Sequence, residues 1–156
     1  MIELERKFLV AELPDWLEDH PSEPIDQAYL AVSGDWEFRV RRRGGGTFLT
    51  VKHGSGERRT EVEVEIAEDD FRTLRSLCDA VIAKRRHYVD EGDVTIEVDV
   101  YEGDLEGLVV AEVEFDSETA ARSFDPPEWL GEEVTGDKRY ANQRLALRGA
   151  PGAMAR

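Results

Sequence analysis

The chain has 156 residues, 40% of them hydrophobic, and a formal net charge of −15 from 35 Asp and Glu against 20 Lys and Arg. That length fits one domain with a real core, and so acidic a field repels a phosphate backbone, so nucleic acid is not an expected partner. A single cysteine, Cys78, rules out an intramolecular disulfide, and no apolar run or signal-like leader is visible, so a soluble cytoplasmic protein without a membrane partner is expected.

Extended segments announce themselves by alternation, because successive side chains of a strand point to opposite faces. In IELERKFLV (2–10), Ile2, Leu4, Phe8 and Val10 share one face, Glu3, Glu5 and Lys7 the other, and Arg6 is the exception on the apolar side. ELPDWLEDHP (12–21) allows one helical turn, and PIDQAYLAV (24–32) reads as a strand. DWEFRVRRR sets Trp36, Phe38 and Val40 against Glu37, Arg39, Arg41 and Arg43; TFLTVK sets Leu49 and Val51 against Thr50 and Lys52. TEVEVEI sets Val62, Val64 and Ile66 against Glu61, Glu63 and Glu65. A helix is expected over AEDDFRTLRSLCDA (67–80), with Phe71, Leu74, Leu77 and Cys78 at helical spacing and acids near its start. Then come VIAKRRHYV (81–89), VTIEVDVY (94–101) and VVAEVEF (109–115). SETAARSF (117–124) is a short helix with Ser117 as its cap, and DKRYANQRLAL (137–147) a closing helix or turn. Short Gly- and Asp-rich connectors, SGD, GGG, HGSGE and DEGD, have hairpin length, so consecutive strands are antiparallel. A single domain is expected over 1–148, with 149–156 as a flexible tail.

The polar faces are unusual for a solvated sheet surface. They are nearly pure Glu and Arg or Lys, and like charges stack at i, i+2, as in Glu61-Glu63-Glu65 and Arg39-Arg41-Arg43. Such stacking is repulsive unless opposite charge or a ligand lies close. About eight strands is enough to close a sheet. A mainly β (α+β) fold is therefore expected: an eight-stranded antiparallel closed β-barrel with the charged faces in its lumen and a few helices packed on its apolar outside. Clustered guanidinium and ammonium groups suit the oxygens of a polyanionic phosphate chain. Clustered carboxylates suit a hard cation, Mg²⁺ or Mn²⁺. By contrast, His20, His53 and His87 show no metal-ligand spacing, RRRGGG has no helix after it to cradle a phosphate, and the three tryptophans read as packing residues.

These residues resemble a known family. ELERK (3–7) fits the E-x-E-x-K opening of the CYTH superfamily, the triphosphate tunnel metalloenzymes. The resemblance continues through RVR (39–41), TVK (50–52), EVE (61–63), KRR (84–86), EVE (112–114) and EEVTGDKRYANQRLA (132–146), in order and over almost the whole chain. The chain looks most like the small bacterial inorganic triphosphatases of that family. The resemblance implies a tunnel holding a linear triphosphate and a divalent metal. Lys7, Arg39, Arg41, Lys52, Lys84, Arg86 and Lys138 match its phosphate-binding cations, and Arg59 joins them by sharing the face of Glu61. Glu3, Glu5, Glu61, Glu63, Glu112 and Glu114 match its metal-associated acids. Glu97 and Asp99 face inward by parity. All four lysines of a chain otherwise served by arginine fall on these motif positions.

The expected activity is metal-dependent hydrolysis of inorganic triphosphate by a monomer or homodimer. Thiamine triphosphate, a nucleoside triphosphate, cyclisation of ATP and non-catalytic polyphosphate binding are the alternatives. Lys84, in a basic lumen, is the candidate general base, with Tyr29 of QAYL, which resembles the family's Q-G-Y-L, as the partner that orients it.

Overall fold

Strands form at every segment where the alternation places them. In the computed structural model, which describes residues 4–55 and 58–151 (side chains of 55, 58 and 59 excepted), they are β1 (Leu4–Leu9), β2 (Ser22–Ser33), β3 (Trp36–Arg43), β4 (Gly46–Ser55), β5 (Arg58–Glu65), β6 (Val81–Glu91), β7 (Val94–Tyr101) and β8 (Val109–Phe115). Helices α1 (Glu68–Ser76), α2 (Glu118–Ser123) and α3 (Asn142–Arg148) interrupt or follow them. The first helix stops short of Cys78, which lies past its end and half-buried against it. Ser117 caps α2, its Oγ accepting from the Ala120 N–H at 3.0 Å. A single helical turn spans Asp15–Asp19. The expected tail beyond residue 151 lies outside the described residues, and among the described residues no helix is long and apolar enough to cross a membrane.

All eight strands belong to one antiparallel sheet in the order β1-β8-β7-β6-β2-β3-β4-β5. The expected closed barrel requires a ladder between β1 and β5, and among the described residues there is none. The reason is visible at the free edge of β1, whose backbone groups are already engaged by residues 131–135. Leu9 N donates to Glu132 O at 2.8 Å, Val134 N to Lys7 O at 2.8 Å and Gly131 N to Leu9 O at 2.7 Å. Lys7 N donates to Thr135 Oγ1 at 2.9 Å. A strand edge can pair once. The sheet nevertheless wraps, since side chains from all eight strands line one cavity.

The outside of the sheet is covered in two patches. Over β1, β6, β7 and β8, residues Phe8, Val89, Ile96, Val98, Val113 and Phe115 pack under Leu17, Phe124, Trp129 and Leu130. This patch explains Arg6, the charge on the apolar face. Its guanidinium lies over the Phe8 and Phe124 rings, donates to the carbonyls of Ala121 and Phe124, and pairs with Glu133 at 2.7 Å. Over β2–β4, Ala28 and Val40 pack under Phe71 of α1. Coverage ends there: Trp36, Val62 and Val64 are 47%, 56% and 47% exposed, so the expected helical cover does not extend over the far end of β3 and β5. Inside, Tyr29, Ile82, Tyr101 and Val110 pack with Leu145 of α3, an apolar plug beneath the charged part of the inner face.

One irregularity was hidden from the alternation. The β2–β3 register shifts between Tyr29 and Ala31, so β2 carries an extra residue at Leu30. Such a bulge reverses the parity of the residues beyond it. Gln27 and Tyr29 lie opposite Arg41 and Arg39, while Ala31 lies opposite Phe38 on the outside.

Candidate active site

The inner face encloses a cavity of about 730 Å³, and the fold gives it two walls of mixed sign. On one wall β1 supplies Glu5 and Lys7, β8 Glu112 and Glu114, and β7 Glu97. Glu5 sits directly across from Glu114, and Glu112 lies between Lys7 and Glu97 in the ladders. Lys7 Nζ is 3.1 Å from a Glu112 oxygen and donates to the Tyr140 carbonyl at 3.3 Å. Burial, followed by the charges of Glu112, Glu114 and Asp99, pushes the Glu97 carboxyl up against the pull of Arg86. On the other wall β3 supplies Glu37, Arg39, Arg41 and Arg43, β4 Lys52 and β5 Glu61 and Glu63. Lys52 Nζ is 3.9 Å from Glu61. Residues 135–138 and 141–144, Lys138 among them, complete the lining.

The two buried arginines of β3, Arg39 and Arg41, are thinly compensated. Arg39 is 5% exposed; its guanidinium is 3.6 Å from Glu37, and its Nε–H has no hydrogen-bond partner among the described residues. Burial, then the neighbouring Arg39 and Arg86, lower Arg41 to about 10. Arg41 Nε donates to Gln27 Oε1 at 3.1 Å, and Gln27 Nε2 to the Tyr29 hydroxyl at 2.8 Å. The β6 pair is different. Arg86 donates from Nε to Asp99 Oδ1 at 2.8 Å and from NH2 to Oδ2 at 3.0 Å, and Lys84 Nζ lies 2.7 Å from the same Oδ2. Although burial works against it, Lys84 and Arg86 hold Asp99 down at about 2. Arg86 is raised in turn, the Asp99 bonds outweighing its burial.

Most of the expected site residues therefore meet on one cavity: Glu5, Lys7, Tyr29, Arg39, Arg41, Lys52, Glu61, Glu63, Arg86, Glu112, Glu114 and Lys138. Glu3 lies outside the described residues, as does the side chain of Arg59. Lys84 is the correction. Expected in the lumen, it has no exposed surface and stands behind the lining, over the Tyr101 ring and on Asp99. Tyr29 takes different partners, so the structure does not join the two in an orienting hydrogen bond. The physical reason is depth: Lys84 shares the inner parity, but it lies on the strand with Ile82 and faces Tyr101 across the ladder, at the level of the apolar plug. Gln27, fully buried opposite Arg41, and Thr50, between Arg39 and Glu63 in the ladders and with a buried Oγ1 that has no partner among the described residues, lie behind the lining and were not expected there. Parity alone would have found both, since Gln27 is two residues from Tyr29 and Thr50 two from Lys52; their lack of charge concealed them.

A hard divalent cation fits this donor set in a particular way. The carboxylates are all oxygen ligands, and burial first, then the charges of Glu112, Glu114 and Asp99, raise Glu97, so positive charge is wanted. Among the described residues no three of them form a ready ligand cluster. A hard cation held through one or two carboxylates together with substrate oxygens needs no such cluster.

A wrapped antiparallel sheet with an ion-lined interior defines the class. The CYTH domain family model matches residues 1–148, and the chain belongs to that family. It is similar to an inorganic triphosphatase of Nitrosomonas europaea, 43% identical over 94% of this chain and 98% of that protein. An inorganic triphosphatase of Acetivibrio thermocellus is 42% identical over 76% of this chain and 77% of its own. Among solved structures, a crystal structure of an inorganic triphosphatase superposes with a TM-score of 0.76 at 40% identity, covering 94% of this chain and 95% of that one.

Proposed function

We propose that the chain hydrolyses inorganic triphosphate to diphosphate and phosphate in this cavity, with Mg²⁺ or Mn²⁺ as cofactor and in the cytoplasm. The observation that carries the reading is the lining itself: cations and carboxylates interleave around one cavity, and among the described residues its one aromatic, Tyr29, has its ring packed in the plug beneath. A nucleobase or thiazole ring would need apolar wall, which the described residues of this lining do not offer. The names carried by relatives 43% and 42% identical support the same substrate.

In this reading Lys7, Arg39, Arg41, Lys52, Arg59, Arg86 and Lys138 grip the phosphate chain and offset charge on the departing diphosphate. Glu3, Glu5, Glu61, Glu63, Glu112 and Glu114 would hold the metal. When bound, the cation supplies Lewis-acid neutralisation of the phosphate oxygens. The rest is positioning: in-line attack by water on a terminal phosphorus needs fixed geometry and charge stabilisation more than covalent help. Arg39, on the cavity wall, contributes a guanidinium whose partner Glu37 stands 3.6 Å away. Tyr29 contributes a neutral hydroxyl at the wall, its phenol pushed up to about 12 chiefly by burial. Lys84, lowered to about 8 by burial, has the basicity for proton transfer, but its burial behind Asp99 supports a positioning role through Arg86.

Phosphate release measured over triphosphate, diphosphate, ATP and thiamine triphosphate, with and without Mg²⁺, tests the reading. Triphosphate is expected to give the highest kcat/KM, and excess EDTA to abolish turnover. A higher kcat/KM for ATP or thiamine triphosphate overturns the substrate, and full turnover in EDTA overturns the metal. Lys84→Arg keeps the charge and cannot accept a proton at neutral pH; it is expected to retain most of kcat. A collapse of kcat with unchanged KM in a variant that still folds would return Lys84 to the role of base.

A further inference from the structure

Gln27 is a fully buried amide on the inner face, two residues from Tyr29 and directly across the β2–β3 ladder from Arg41. Its orientation is dictated by its neighbours. A guanidinium has five N–H donors and no acceptor, so the amide oxygen has to face Arg41, whose Nε donates to it at 3.1 Å. The amide nitrogen is thereby turned to Tyr29, 2.8 Å away, and donates to the phenolic oxygen. Arg39, opposite Tyr29 in the ladder, offers the hydroxyl no acceptor either, since a guanidinium can only donate. A phenol has two lone pairs and one proton. One lone pair accepts from the amide N–H, and neither that NH₂ nor the Arg39 and Arg41 guanidiniums can take the phenolic proton, which is left for the cavity that Tyr29 lines.

We propose that Gln27 is a positioning residue whose amide turns the Tyr29 hydroxyl proton into the cavity, making Tyr29 an obligate donor to an oxygen of the bound phosphate chain. The proposal rests on the triphosphate reading for its ligand. The chemistry of both neighbours selects glutamine. Glutamate would accept from Arg41 but offer Tyr29 no N–H, so the phenol would donate backward to the carboxylate. It would also neutralise Arg41, whereas the amide satisfies that guanidinium and leaves its charge to an anion. An aliphatic side chain would do neither.

The test compares Gln27→Glu, Tyr29→Phe and the double variant, each full length, in kcat and KM for inorganic triphosphate with Mg²⁺. Each single variant is expected to lose about 10- to 100-fold in kcat/KM, as for one hydrogen bond to a charged acceptor, and the double variant to be no worse than Gln27→Glu alone. A merely structural glutamine would make the losses multiply, and a full further loss from Tyr29→Phe in the Gln27→Glu background overturns the relay. Should Gln27→Glu fail to fold, Gln27→Met makes the same comparison, since it also lacks the N–H. A second readout does not depend on turnover. In protein carrying ¹³Cζ-tyrosine, with the Tyr29 resonance assigned by its loss in Tyr29→Phe, inorganic triphosphate in excess EDTA is expected to shift that resonance in the wild type and not in Gln27→Glu or Gln27→Met. Turnover of triphosphate without a Tyr29 shift overturns the relay and leaves the activity standing. A Tyr29 shift without turnover under Mg²⁺ supports the relay and overturns the activity.

Discussion

On β6 and β7, Lys84 and Arg86 close on Asp99 at 2.7 and 2.8 Å, and Glu97 stands 3.2 Å from Arg86, so the two cations face two carboxylates. On β3, two strands away on the same inner face, Arg39 and Arg41 have a glutamate at 3.6 Å and a neutral amide at 3.1 Å between them. Burial is similar in the two places, so it does not account for the difference. Hydrogen bonding without charge neutralisation keeps a buried cation in place while leaving its field for a ligand; neutralisation behind the lining, as at Lys84, turns the same residue type into scaffold. The family's cationic positions therefore divide into those that receive an anion and one, Lys84, that supports the wall from behind.

Removing the counter-charge from the neutralised cluster is the largest expected effect. Asp99→Asn leaves Lys84 and Arg86 buried beside each other, and breaking such a pair typically costs about 3–5 kcal/mol. Urea unfolding of the variant at pH 7 checks this; a loss below about 1 kcal/mol would mean that Asp99 is not holding the cluster. In the wild type the depressed Asp99 adds stability that is fully present above its unfolded value near 4 and lost as pH falls through about 2.

The complementary cut is Arg39→Met, which removes a charge the protein hardly compensates. It is expected to lower kcat/KM for triphosphate by about 1.5–3 kcal/mol. Stability is expected to stay within about 1 kcal/mol of the wild type, because the loss of packing is offset as Arg41 is relieved of a like charge. Steady-state kinetics and thermal unfolding on the same preparation check it. Unfolding with unaltered kinetics in the surviving protein would erase the contrast between the clusters.

Strands and cavity were legible in the sequence for the same reason. A strand with one charged face writes its periodicity into the chain, and stacked like charges such as Glu61 and Glu63 make sense only around something of opposite sign. Four things were not legible. The edge of β1 could pair with β5 or with residues 131–135, and periodicity says nothing about which partner reaches it first. The bulge at Leu30 adds one residue without altering composition. Depth along a strand is invisible to parity, so Lys84 and Arg86 read as equivalent although only Arg86 reaches the cavity. Gln27 escaped because a neutral amide in a charged pattern carries no periodic signal of its own.

The smallest expected effect separates the clusters by pH. Burial lowers Lys84 from an ordinary value of 10.5 to about 8 despite Asp99. Between those two values the unfolded chain holds the lysine proton more firmly than the folded chain does. The unfolded state therefore binds more protons, and raising the pH through this window favours the fold. Tyrosines act in the opposite sense: Tyr29 and Tyr88 are raised to about 12 and Tyr101 is raised as well, so above about pH 10 the unfolded chain sheds phenolic protons that the folded chain keeps. The lysine contribution is thus read between about pH 8 and 9.5, where it amounts to about 1 kcal/mol. Urea unfolding of wild type and Lys84→Met at those two pH values isolates it, because every other titrating group is common to both. The wild type is expected to gain stability relative to the variant as pH rises. If the two instead change in parallel, Lys84 keeps its proton in the pair, and the neutralised cluster is a fixed ion pair across the whole working range of the protein.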